Sequence, residues 1–230
     1  IISVAPQSAA AKDAMQSVRE IYVAKGNIND YFAYAERTGV ECDLSVMTRD
    51  SLSFRSAQNI YLSDRKAEAI PHFRSYLIEY PKGYYTNDAL YYLSDCYLKS
   101  DSLDSAIASL KLLSEQLTNQ YTTPVVEKLA NLTFEHKMYD ESAVAYRRLY
   151  TVVDNAAART DAANGYAESV LLSKDDDALL VMAGDLDSLA DVDATMLRRV
   201  RFAKAKVHTS RNEVTEARKI YELLAADVTN

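Results

Sequence analysis

Residues 79–100 read EYPKGYYTNDALYYLSDCYLKS: a proline, a glycine and a run of tyrosines set between two stretches of helical periodicity. Pro81 cannot continue a helix and restricts Tyr80 before it, so the stretch ahead is expected to end there. Gly83 offers a permissive backbone for a turn. Asn87 or Asp88 is then expected to cap the helix ALYYLSDCYL. Tyr92 and Tyr97 are expected to pack between helical units.

Working outward, the same punctuation recurs. Ala69 in AEAIPHF is matched by Ala106 in DSAIASL, Ser142 in DESAVAY, Ala178 in DDDALLV and Ala217 in TEARKIY, at steps of 37, 36, 36 and 39 residues. One helical turn later stand Phe73, Leu110, Tyr146, Met182 and Tyr221, on the same helix face as the small residue. Twelve residues before each anchor come Ala57, Ser94, Ala130, then Tyr166 beside Gly165, and Ala205. Small residues on two successive helices let them approach closely where they cross, which is what an antiparallel helical hairpin needs. Polar breaks at 63–65, 99–102, 136–140, 173–176 and 209–212 separate the helices of each pair, and their Ser, Asp and Asn suit helix ends. Residues 17–39, with Tyr22 and a Gly26 turn, read as one more hairpin, for six in all.

Composition agrees. Only 5 Gly and 4 Pro in 230 residues favour helices joined by short connections. A net charge of −7 argues against nucleic acid or anionic lipid as a partner. No apolar run approaches the roughly 18 residues of a membrane span, and the start, IISVAPQSAAAKDAM, lacks the basic leader of a signal peptide. Without an initiator Met, the chain reads as a portion of a longer protein. Cys42 and Cys96 lie far apart with no CxxC, which makes neither a disulfide framework nor a zinc site. Cys96 reads as a small buried helix residue.

The pattern of small residue, aromatic, Ala, aromatic and closing Pro resembles the tetratricopeptide repeat. It is carried by Leu93, Ser94, Tyr97, Ala106 and Leu110 in one copy and by Ala57, Ala69, Phe73 and Pro81 in another; the copy with Leu129, Ala130, Tyr139, Ser142 and Tyr146 follows it less closely. The resemblance implies an all-α fold, a right-handed superhelical solenoid of about five to six hairpins. Its parts would be a degenerate N-terminal segment 1–49, two well-matched repeats in 50–122 and degenerate repeats in 123–230. Residues 50–113 further resemble repeats of bacterial outer-membrane assembly lipoproteins and of the periplasmic partner of the Tol-Pal system, which implies a periplasmic or outer-membrane-associated setting.

In this family the first helix of each repeat lines a concave groove. The groove positions fall on Phe54, Gln58 and Tyr61, then Tyr91, Asp95 and Lys99, then Glu127, Asn131 and Phe134, and finally Phe202 and Lys206. Aromatics beside hydrogen-bonding groups suit an extended peptide or a partner helix, although the same rings would serve equally well as core between hairpins. Glu127 stands where a carboxylate-holding groove would carry Lys or Arg. The last hairpin, ending YELLAADVTN, offers an apolar side for a further helix or for self-association.

Nothing in the chain reads as catalytic machinery. His72, His136 and His208 are scattered, and HExxH, GxSxG, GxxxxGK[ST] and GxGxxG are absent. The acidic run DLDSLADVDATM at 185–196 has Ala190 where a calcium loop needs Gly and Met196 where it needs Glu. Asp175–Asp177 read as acids at a helix start. The expectation is a non-enzymatic scaffold for protein or peptide partners, requiring no cofactor or metal. The alternative is an envelope module binding a glycan or nutrient on its tyrosines, against which the absence of Trp counts.

Overall fold

In a computed structural model that describes residues 2–115 and 122–226, twelve α-helices account for the regular structure, with no strand among the described residues. The helices are α1 (Ala9–Lys25), α2 (Ile28–Thr38), α3 (Val46–Leu62), α4 (Lys66–Glu79), α5 (Thr86–Lys99), α6 (Leu103–Glu115), α7 (Thr122–Glu135), α8 (Tyr139–Val152), α9 (Ala156–Ser173), α10 (Asp176–Leu186), α11 (Ala194–Ser210) and α12 (Val214–Ala226). They pair in sequence as six hairpins. Two compact units result, Ile1–Glu115 and Gln116–Asn230, each holding three hairpins. In the first, α3 packs on α1, α4 and α5, and α5 packs on α4 and α6; in the second, α8 packs on α7 and α9, and α11 on α9, α10 and α12.

Every hairpin turns through one residue in the left-handed region. These are Gly26, Asp64, Asp101, Lys137, Lys174 and Asn212, spaced 38, 37, 36, 37 and 38 residues apart. In five of the six turns the following N–H (Asn27, Arg65, Ser102, Met138, Glu213) bonds back to a carbonyl of the last helical turn (Tyr22, Ile60, Tyr97, Thr133, His208). This closure satisfies carbonyls that the helix end leaves unpaired.

Counted from these turns, the repeat register is unambiguous. Five residues on, Ala69, Ala106, Ser142 and Ala217 are buried as expected, as are Ala57, Ser94, Ala130 and Ala205 on the preceding helices. The α9–α10 hairpin departs from expectation by one residue: the equivalent positions are Ala167, Leu179 and Ala183, all buried, in place of Tyr166, Ala178 and Met182. Its large and small residues have changed places, Leu at the anchor and Ala one turn later. The first hairpin does the same with Tyr31 and Ala35, both buried. Either order fills the same crossing, because a core senses total volume before it senses position.

The opening stretch behaves as expected at Pro81 and differently at its two neighbours. Helix α4 ends at Glu79, and Tyr80 leaves the helical region with φ −124° and ψ 64°. Gly83 is needed for space and not for φ, which is not in the left-handed region: a Cβ there would lie 2.6 Å from the Tyr76 hydroxyl, 2.8 Å from Tyr80 Cβ and 3.0 Å from Asp50 Oδ1. Neither Asn87 nor Asp88 caps α5, which begins at Thr86 with Tyr85 as a cap residue lacking a side-chain bond. The amides just ahead of it are satisfied from other helices. Asp50 of α3, only 8% exposed, accepts from the Tyr76 hydroxyl at Oδ1 (2.5 Å) and from the Tyr84 N–H at Oδ2 (2.8 Å). The Tyr76 oxygen in turn accepts from the Tyr85 N–H (3.1 Å). One buried carboxylate and one phenol thus tie α3, α4 and the loop before α5 together.

Candidate functional site

Six of the groove positions lie on α3 and α5, and the structure brings them side by side. The ring of Tyr61 packs on that of Tyr92 with centroids 4.7 Å apart, and its hydroxyl donates to Asp95 Oδ2 (2.9 Å). Lys66, at the start of α4, donates to the same oxygen (2.7 Å) and lies over the Tyr61 ring. Gln58 donates to the Tyr92 hydroxyl (3.2 Å), and Tyr91 meets Tyr92 edge to face. Burial, and then the bond to Asp95, pushes the Tyr61 hydroxyl up to about 12; the bond to Asp95 likewise raises the Lys66 ammonium. The result is a half-buried surface of tyrosines held in fixed orientation by an ion pair, with Lys99 exposed one turn beyond Asp95.

Phe54 is different. At 5% exposure it belongs to the core, lying flat on Tyr85 with centroids 4.5 Å apart and planes within 3°, and packed near Phe73 and Tyr76. The tyrosine that covers it comes from the loop after Pro81. Tyr92 and Tyr97 pack against the same cluster, as expected.

In the second unit the positions are spread over two hairpins. Asn131, exposed on α7, accepts from the Tyr146 hydroxyl (2.7 Å), and Phe134 meets Tyr139 and Tyr146 edge to face. Glu127 is exposed beside a shallow pocket. Phe202, 51% exposed, contacts Tyr221 edge to face, with the Lys206 ammonium over its ring. Along α12, Val214, Tyr221 and Leu223 are exposed.

The acids that fleetingly look like a calcium loop are committed to other partners. Asp185 pairs with Arg147, Asp187 with Arg201, and Asp191 with Arg159 and the Tyr150 hydroxyl, while Asp193 caps α11. Among the described residues no group of three or more His, Cys, Asp or Glu is placed to hold a metal ion. His72 lines a cavity of about 340 Å³ between the α1–α2 turn and α4, where burial lowers its basicity. Cys96 is fully buried, and burial pushes its thiol up to about 11, the behaviour of an inert core residue. Among the described residues no helix is long and apolar enough to cross a membrane.

No protein-family model matches the chain, and no curated protein matches it. Among solved structures, BtubC (BKLC) from P. vanneervenii aligns over 93% of this chain and 89% of its own, at 12% identity and a TM-score of 0.41. A Podosopora anserina protein of nearly identical TPR-like repeats aligns over 80% of this chain and 96% of its own, at 10% identity and a TM-score of 0.39.

Proposed function

We propose that the chain is a non-enzymatic scaffold that holds a peptide segment or partner protein against the α3–α5 face, within the bacterial cell envelope. The observation that carries this is the Tyr61–Tyr92–Asp95–Lys66 cluster, whose aromatic rings are oriented before any partner arrives. Tyrosine supplies large contact area with few torsions to freeze, and fixing those torsions in advance lowers the entropy lost on binding. Asp95 and Lys99 on α5 and Lys66 on α4 add charges of both signs, which suit a polar rim around an aromatic centre. The envelope setting draws support from the resemblance of residues 50–113 to envelope repeats.

The test is a cross-linking pull-down from native envelope, comparing the unaltered chain with a Tyr61→Ala/Tyr91→Ala/Lys99→Ala variant whose helical circular dichroism is intact. Anchors of this kind cost about 2 kcal/mol or more when truncated. Loss of one specific protein from the cross-linked set is the expected result. An unchanged set, or a set empty of protein with glycan retained, overturns the scaffold reading of this face.

A further inference from the structure

The loop that Gly83 makes possible leaves a second surface feature, at the N-terminal end of α3 and away from the Tyr61–Asp95–Lys66 cluster. The first turns of α3 and the residues after Pro81 enclose a pocket of about 570 Å³ lined by Val46, Met47, Asp50, Ser51, Tyr84 and Tyr85. Its rim is unusual for a folded chain, since Val46, Met47 and Tyr84 are each more than three-quarters exposed. Contiguous exposed apolar side chains of this kind mark interaction sites. Deeper in stands a charge. Asp50 is more than nine-tenths buried, and among the described residues its carboxylate is bonded only to the neutral hydroxyl of Tyr76 and the neutral amide of Tyr84. No Lys, Arg or His among the described residues forms an ion pair with it. Arg49, next to it in sequence, is turned away to Glu36, to the carbonyl of Leu44 and over the ring of Phe32.

A carboxylate taken out of water with no cation beside it is a costly arrangement, and each of its oxygens can accept a further bond. The group that complements such a pocket has an apolar stem to lie along Val46 and Met47 and a cationic head to reach Asp50, with the exposed ring of Tyr84 beside it. We propose that this pocket docks a lysine or arginine side chain of a protein partner. The chain's net charge of −7 favours approach of such a partner. The pocket uses none of Tyr61, Tyr92, Asp95 and Lys66; only the identity of the carrier, a protein, rests on the scaffold reading.

N-acetyl-lysine amide and N-acetyl-norleucine amide are therefore titrated into the ¹⁵N-labelled chain, following the amide signals of Met47, Tyr84 and Tyr85. The two probes differ only in the charged head, so a bond to a buried carboxylate separates them by roughly tenfold or more in affinity. Saturable shifts at those three amides with the lysine probe, and weaker ones with norleucine, are expected. Met47→Ser/Tyr84→Ser, which alters two exposed side chains and no bond to Asp50, weakens the lysine response; Asp50→Asn, if it folds, removes the preference for lysine. Equal responses to both probes, no response at millimolar concentration, or a lysine response untouched by Met47→Ser/Tyr84→Ser overturns the proposal. Because no partner protein takes part, each of these outcomes is distinct from an unchanged pull-down, which bears on the α3–α5 face.

Discussion

Replacing Gly83 with Ala tests whether the buried carboxylate network sets the loop between the second and third hairpins. Gly83 is not in the left-handed region, so the penalty is steric: the new Cβ meets the Tyr76 hydroxyl at 2.6 Å, inside any real contact, and Tyr80 Cβ at 2.8 Å. Overpacking of this size costs about 1–3 kcal/mol. Tyr76→Phe removes the oxygen that donates to Asp50 and accepts from the Tyr85 N–H. A bond to a charged group contributes about 1.5–3 kcal/mol, and the amide left unsatisfied adds to the loss, for roughly 2–4 kcal/mol in all. The two changes act on one atom. With the hydroxyl already gone, Gly83→Ala loses its nearest clash and keeps those with Tyr80 Cβ and Asp50 Oδ1, so the double variant is less destabilised than the sum by about 1–2 kcal/mol. Urea unfolding followed by circular dichroism gives the three stabilities, and hydrogen exchange at Tyr84 and Tyr85 reports the loop itself. Additivity within about 0.5 kcal/mol, or unchanged exchange at both amides, refutes the network as the cause.

Three further outcomes follow from the same structure. Ala106→Leu, at a fully buried helix crossing, lowers stability by about 1–3 kcal/mol in a thermal or urea melt. Lys174→Gly relieves a left-handed non-glycine residue at a hairpin turn (φ 58°) and stabilises the fold by up to about 1 kcal/mol, read as a higher urea midpoint. Burial, with Asp185 beside it, pushes the Tyr166 phenol up to about 12 in the folded state. Below pH about 10 both states hold the proton; above it the unfolded chain ionises first, so stability falls by about 1.4 kcal/mol per pH unit until about pH 12. Urea midpoints taken on either side of pH about 10 show a shallower fall for Tyr166→Phe than for the unaltered chain, and identical falls would place the alkaline loss elsewhere.

The six hairpins are legible in the sequence because small residues recur at helix crossings and polar residues at turns, and both are local properties. The register of the α9–α10 hairpin is not. Leu179 and Ala183 exchange the sizes that Ala69 and Phe73 carry, and a search for small residues at fixed steps slides to the neighbouring Ala178. The left-handed turn residues would have fixed it, but Asp, Lys and Asn occur too widely to announce that conformation. The candidate face shows the same limit. Phe54 and Tyr61 lie two turns apart on one stripe of α3, so periodicity treats them alike. What separates them is long-range: Tyr85 folds back to cover Phe54, while Tyr61 meets Asp95 and Lys66 at a partly open edge. Asp50 reads in sequence as one acid among many, and its burial depends on a tyrosine 26 residues later.

One contact also bears on how an array of look-alike hairpins assembles in the right order. Phe73 of α4 stacks on Tyr92 of α5, ring centroids 5.8 Å apart. The equivalent pair in the other unit is Tyr146 of α8 and Gly165 of α9, where a Cβ on the glycine would sit 2.6 Å from the ring. One junction matches a large ring with another; the other matches a large ring with nothing. Were α5 to dock against α8 during folding, Tyr92 would meet the place that only a glycine can share with Tyr146; were α9 to dock against α4, Phe73 would face a void. Misassembly of neighbouring repeats is a characteristic hazard of such chains, and mismatched junctions guard against it without adding to the strength of either correct one.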